Sequence, residues 1–166
     1  MIVVANRLSQ IAVDERIEID ADAFGRSAFN RYYYAAYLET RDMLGQLNPS
    51  WVRTPHSVIP GFLTETILNA IRRNAKRQLT LGALSKSESA LLRDTANKST
   101  AYLSDLLREA YAIRCVADYQ PEQRILRDGN IIKLGDHSIQ AARKWPQRAS
   151  FHAKILIRIW RQLGLS

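Results

Sequence analysis

Between Arg26 and Leu47 the large side chains recur at intervals of three and four: Phe29, Tyr33, Ala36 or Tyr37, Thr40, Leu44 and Leu47. That spacing lays them along one face of an α-helix, predicted over residues 20–47. Asp20 or Asp22 is placed to cap its first free N–H groups, and the surrounding acids suit the positive end of the helix dipole. Asn48-Pro49-Ser50 ends it, because proline disfavours helix in the residue before it. Tyr33 and Tyr37 fall on the core face and Tyr34 towards the edge. Arg26, Arg31 and Arg41 mostly flank that face.

The same periodicity returns over 58–78, through Phe62 or Leu63, Ile67 and Ala70 or Ile71. Trp51 to Pro60, with two prolines, reads as the loop that leads into it. Ser85-Lys86-Ser87-Glu88 has capping-box spacing and opens a long helix over 85–117, with a pause expected at 97–100, where helix propensity is poor. Residues 124–134 differ in kind, with two short apolar runs around Asp128-Gly129-Asn130 that predict a small hairpin. A final helix is expected over 137–163, capped by Asp136 and kinked or restarted at Pro146. Residues 1–19 form a lead-in in which Val3, Val4, Leu8 and Ile11 fit a short helix, whereas Ile17 and Ile19 alternate with acids as a strand does. With no repeat or linker, the pattern implies one domain: an all-α, up-down bundle of four to five helices carrying a small hairpin.

Composition narrows the function classes. The chain has 166 residues, 46% of them apolar, which suffices for one core. No apolar run approaches the roughly 18 residues that a membrane span needs. The start, Met1 to Arg7, has neither a basic leader nor a long apolar segment, so no secretory signal is expected. A single cysteine, Cys115, excludes an internal disulfide and a cysteine-built metal site. These features predict a cytoplasmic protein with no cofactor and no metal. The formal charge of +8 favours polyanionic partners, and it is uneven. Residues 1–48 hold five Lys/Arg against seven Asp/Glu, whereas 137–166 hold six Lys/Arg and no acid. Candidate nucleic-acid contacts are Arg72, Arg73 and Lys76 on the second long helix, where like charges stand one turn apart, and the stripe Lys154, Arg158 and Arg161 on the last.

Catalytic signatures are sparse. There is no Gly-rich phosphate loop, His-Glu-x-x-His pair or Gly-x-Ser-x-Gly elbow. The histidines at 56, 137 and 152 stand apart. A metal-free ribonuclease can use His to move a proton at the ribose 2′-hydroxyl and Arg to stabilise the phosphorane. Arg53 with His56, and Arg148 with His152, are the local pairs; in an arginine-rich chain chance proximity is the simpler account of both.

The stretch Arg26-Ser27-Ala28-Phe29-Asn30-Arg31-Tyr32-Tyr33-Tyr34-Ala35-Ala36-Tyr37 resembles the Arg-Ser-Ala-x-Ser-Arg-x-Tyr-Tyr-Ala-x-Phe helix of the HEPN superfamily. His56 to Phe62 resembles the start of that family's second long helix. Leu107 to Tyr119, ending Arg114-Cys115-Val116-Ala117-Asp118-Tyr119, resembles its Arg-x-x-Ala-Asp-Tyr ending. The resemblance spans roughly residues 20–160 and implies a small all-α domain of prokaryotic toxin–antitoxin and antiviral systems, usually a homodimer. Catalytic members of the family are metal-independent endoribonucleases with an Arg followed after four to six residues by a His. Here Arg114 fills the Arg position, but Asp118 stands near the His position, and no Arg–His pair in the chain has the required gap.

The expected protein is therefore a non-catalytic, HEPN-like module associated with RNA or a nucleotide in a defence or toxin–antitoxin system. Arg26, Arg31 and Tyr34 are assigned to a dimer or partner face, and a nucleotidyltransferase or nuclease is the kind of protein partner implied. Two alternatives stand beside it. One is an endoribonuclease toxin using Arg114 or Arg148 with His152; the other is a dimerisation or interaction module indifferent to nucleic acid.

Overall fold

A computed structural model describes residues 1–165. The chain is all-α with one small antiparallel sheet. Its helices are α1 (Ile2–Asp14), α2 (Glu18–Leu47), α3 (Ile59–Phe62), α4 (Leu68–Thr80), α5 (Lys86–Tyr119), α6 (Ile139–Ala142) and α7 (Trp145–Gln162). A 3-10 turn covers Pro49–Arg53, and a π turn, Leu63–Ile67, joins α3 to α4 without a break. Five of the helices are long: 13, 30, 13, 34 and 18 residues for α1, α2, α4, α5 and α7. No helix among the described residues is long and apolar enough to cross a membrane. The described residues form two compact units.

The first unit comprises Met1–Leu38 and Leu107–Arg148. The lead-in resolves as helix: α1 buries Ala5 and Ala12, and Ile17 and Ile19 lie at the start of α2, exposed and not in a strand. Arg127 closes the end of α1 by donating to the carbonyls of Ala12 and Glu15. In this unit α2 buries Ala21, Ala28, Phe29, Tyr32, Tyr33 and Ala36, a face rich in small residues that admits close neighbours. Gly25 shows how close: a Cβ there would stand 2.7 Å from Cδ1 of Ile125 in the sheet.

That sheet runs β1 (Ile125–Asp128), β2 (Ile131–Leu134) and β3 (His137–Ser138) in sequential antiparallel order. Ile125 pairs with Leu134 and Asp128 with Ile131. The hairpin occurs where expected, but its central pair is Gly129-Asn130, with the positive φ (54°) on Gly129 alone. A glycine in the first central position is what a type II′ turn requires. Ile132 and Leu134 are buried, so β2 anchors the sheet to the helices by one face. The last segment departs from expectation. Residues 137–138 are strand, and Ser138, not Asp136, caps α6 by accepting from the Ala141 N–H at 3.2 Å. The break falls before Trp145, which leaves Pro146 in the first turn of α7, where its missing N–H is no loss.

The second unit comprises Glu39–Leu106 and the chain from Ala149 onward. Met43, Leu44, Ile59, Leu63, Ile67, Ile71, Leu103, Leu156 and Trp160 form its core. Trp51 stands edge-on to Phe62 and Trp160, with centroids 5.1 and 5.6 Å away. The capping box forms: the Glu88 carboxylate accepts from the Ser85 N–H at 2.8 Å, and Ser85 Oγ accepts from the Glu88 N–H at 3.2 Å. No pause interrupts α5 at 97–100: Ser99 and Thr100 are buried there, and the Thr100 hydroxyl is satisfied by the Ala96 carbonyl at 2.9 Å. Ser89, buried on the same helix, donates to the Ala75 carbonyl of α4 at 3.2 Å.

Candidate nucleic-acid interface

Helix α7 is two-faced. Ala149, Ala153, Leu156, Ile159, Trp160 and Leu163 are buried. Phe151, Lys154, Arg158 and Arg161, at i, i+3, i+7 and i+10, share the opposite side, and all four are exposed. Phe151 is 61% exposed, an aromatic ring set among cations. Lys154 and Arg158 have no ion-pair partner among the described residues. Arg161 makes only a long contact, 3.5 Å, to the Gln46 amide oxygen.

His152 lies on the flank between those two sides. Its ring stacks on Tyr102, with centroids 4.2 Å apart and planes at 25°, and meets Phe151 edge-on at 5.2 Å. Nδ1 is 3.3 Å from Ser99 Oγ. Burial lowers its pKa, which favours the neutral imidazole. Arg148, its proposed partner, is exposed at the surface of the first unit and has no ion-pair partner among the described residues.

A second basic surface lies between α4 and α5. Arg72, Arg73, Lys76 and Arg93 line a shallow depression with Asp94 and Asn97. Arg72 donates to Asn97 Oδ1 at 3.0 Å, and Lys98 engages Asp94 at 2.7 Å. Four cations thus face one acid that already has a partner.

No match to this chain is found among family models, curated proteins or solved structures.

In the first unit, Arg114 sits in a cage of aromatic and polar groups. Its Nε lies 2.7 Å from Asp118 Oδ2, with the N–H directed off the oxygen, so the contact is an ion pair and not an aligned hydrogen bond. The guanidinium carbon is 5.2 Å from the Tyr119 ring centre and 6.0 Å from that of Tyr34. Burial opposes the charge, but the Tyr119 hydroxyl and the Asp118 carboxylate outweigh it and raise the Arg114 pKa. Asn30 holds Asp118 from the other side, donating to both carboxylate oxygens at 2.8 and 2.9 Å. Tyr33 packs beside Tyr34, Tyr37 and Tyr111, and burial pushes its phenol pKa upward.

The residues assigned to a partner face divide. Arg31 is exposed and Tyr34 half-buried. Arg26 is turned inward and only 9% exposed, which removes it from any such face. Its guanidinium donates to the carbonyls of Val116, Gln120 and Gln123 at 3.2, 3.0 and 2.7 Å, closing the end of α5. Sequence reasoning missed Asn30, Tyr119 and Phe151. Asn30 and Tyr119 lie inside the quoted motif stretches, whereas a lone phenylalanine in a helix carries no signal that it faces outward. Among the described residues no cluster of three or more His, Cys, Asp or Glu is placed to hold a metal ion.

Proposed function

We propose that this protein is a HEPN-like helical module that associates with RNA and performs no ribonuclease chemistry itself, acting in a prokaryotic defence or toxin–antitoxin system as a cytoplasmic homodimer. The observation that carries the RNA assignment is the exposed side of α7, where Phe151 stands among Lys154, Arg158 and Arg161 with no acid between residues 137 and 166. Cations so placed contact phosphates, and an exposed ring stacks on an unpaired base. The family assignment is supported by the three sequence patches, and the absence of ribonuclease chemistry by Asp118 near the position of the family's His.

The test is fluorescence anisotropy with a labelled single-stranded RNA across a salt series. For single strands log K falls with log salt by about 0.7 per phosphate contact, so replacing Lys154, Arg158 and Arg161 with Ala lowers the slope by about 2. Absence of binding, or binding indifferent to salt, overturns the RNA assignment. Cleavage of RNA in EDTA that His152→Ala abolishes overturns the non-catalytic assignment in favour of the endoribonuclease.

A further inference from the structure

The first unit contains a part-enclosed cavity of about 430 Å³ that the proposed RNA contacts do not use. It is lined from four elements: Asn6, Ser9, Gln10 and Val13 of α1, Tyr32 of α2, Asn130 of the hairpin turn, and Ile139, Gln140 and Arg143 around α6. Tyr32 and Ile139 are buried at its floor, and Gln10, Asn130, Gln140 and Arg143 are exposed at its rim. A larger hollow lies under β1, but two of its charged groups already serve the fold: Asp22 accepts from the Ile125 N–H and Arg127 closes α1.

In the smaller cavity the internal hydrogen bonds engage only one end of the Asn6, Gln10 and Gln140 amides. Asn6 Oδ1 accepts from the Tyr32 hydroxyl at 2.7 Å, leaving its NH2 as a donor. Gln10 gives its NH2 to Asp14 and Gln140 gives its NH2 to the Asn130 carbonyl, so both keep an amide oxygen as acceptor. Arg143 is the only charged residue in the lining, no carboxylate lines the cavity, and its guanidinium has no ion-pair partner among the described residues. Burial raises the pKa of the Tyr32 phenol at the floor, and the Arg143 charge opposes that rise only in part.

We infer that this cavity binds a small anionic polyol of about the size of a pentose phosphate. The anion pairs with Arg143, the hydroxyl donors meet the oxygens of Gln10 and Gln140, the Asn6 NH2 meets a ring or hydroxyl oxygen, and Val13 and Ile139 cover the C–H face of the sugar. A cavity of this volume falls within the range of small-molecule sites. A bare oxyanion leaves both glutamine acceptors unused, and a neutral sugar leaves the guanidinium unused.

The experiment is a titration of the whole chain with ribose 5-phosphate, ribose and inorganic phosphate, followed by the side-chain amide signals of Asn6, Gln10, Asn130 and Gln140 in 1H–15N spectra. Ribose 5-phosphate is expected to shift those signals saturably. Because a hydrogen bond to a charged group is commonly a tenfold effect, each half-compound should bind about tenfold more weakly or worse. Arg143→Met should weaken ribose 5-phosphate binding by about the same factor, and Lys144→Met, an exposed neighbour outside the lining, should not. Three results overturn the inference: no saturable shift with ribose 5-phosphate, equal binding of phosphate or of ribose alone, or no effect of Arg143→Met. The salt slope for RNA in the Arg143→Met variant is expected to equal that of the parent, which keeps the two proposals separately testable.

Discussion

Replacing Arg26 by Met keeps an unbranched apolar stem and removes every side-chain donor. Three carbonyls of the α5 end then lose a charge-assisted partner: Val116, Gln120 and Gln123. A hydrogen bond to a charged group contributes about 1.5–3 kcal/mol, so three treated as independent would sum to more than 4 kcal/mol. That sum is too large, because two of the carbonyls keep backbone donors. Val116 O still accepts from the Gln120 N–H at 3.1 Å, and Gln120 O from the Gln123 N–H at 3.0 Å. Asp22, 4.0 Å from the Arg26 Nε, likewise keeps its 2.7 Å bond from the Ile125 N–H. The Gln123 carbonyl carries most of the loss, and the expected destabilisation is about 2–4 kcal/mol. With a urea m-value of about 2 kcal/mol/M, the midpoint followed by circular dichroism drops by about 1–2 M. Arg31→Met is the control, since Arg31 is exposed and its loss stays within about 0.5 kcal/mol. Arg26→Lys restores the charge but not the planar fork that reaches three oxygens, and should recover less than half of the lost stability. An Arg26→Met midpoint no lower than that of Arg31→Met would refute the assignment of this arginine as the lock on α5.

Three further outcomes follow from local geometry. Gly25→Ala gains about 1 kcal/mol of helix propensity but drives a Cβ to 2.7 Å from Ile125 Cδ1, an overpacking cost of about 1–3 kcal/mol. The net effect in urea melts is destabilising, and Ile125→Val, which removes that methyl, should shrink or reverse it in a double-mutant cycle. His152, whose pKa burial lowers, should titrate below the ordinary 6.5 by NMR. Its contribution to stability is complete above pH 6.5 and is lost as pH falls through its folded value, because the unfolded chain binds the proton first; His152→Gln should remove that part of the pH dependence, and a His152 pKa at or above 6.5 contradicts the packing described. Ser85→Ala removes the α5 cap at an expected cost of about 1 kcal/mol, read from thermal melts, and no change would mean that the cap is redundant.

How much of this was legible in the sequence differs by kind of interaction. Periodicity located α2, and Phe29, Tyr33, Ala36, Thr40, Leu44 and Leu47 are all buried. Spacing also located the capping box and the hairpin, since each depends on residues a few positions apart. Arg26 and Arg31 look alike in the sequence, and what separates them is a set of carbonyls 90 to 97 residues away along the chain. Pro146 marked the restart of the last helix, and α7 does begin at Trp145 with that proline in its first turn, whereas the cap of α6 was assigned to Asp136 and belongs to Ser138. The cations of α7 were legible from their i, i+4, i+7 spacing. The amide-lined cavity was not, because its Asn, Gln and Ser residues come from three separate elements and follow no single period.

Under the proposed function, Asp118 is the residue that would separate recognition of phosphate from chemistry on it. An imidazole near Arg114 would be neutral or cationic, would supply a proton, and would leave the guanidinium available to a developing phosphorane. A carboxylate 2.7 Å from Nε does the reverse: it neutralises the guanidinium and repels an incoming phosphate. Asn30 fixes that carboxylate through both oxygens, and the Tyr34 and Tyr119 rings stand over the cation, so the pair is held as a packing device in the first unit. On α7 the balance is the opposite, since Lys154 and Arg158 have no ion-pair partner among the described residues that a phosphate would have to displace. Asp118→Ala therefore exposes an unpaired cation at Arg114, and it should raise affinity for RNA phosphate without producing cleavage. Cleavage by that variant in EDTA would mean that the catalytic groups are already in place and that Asp118 alone keeps them silent.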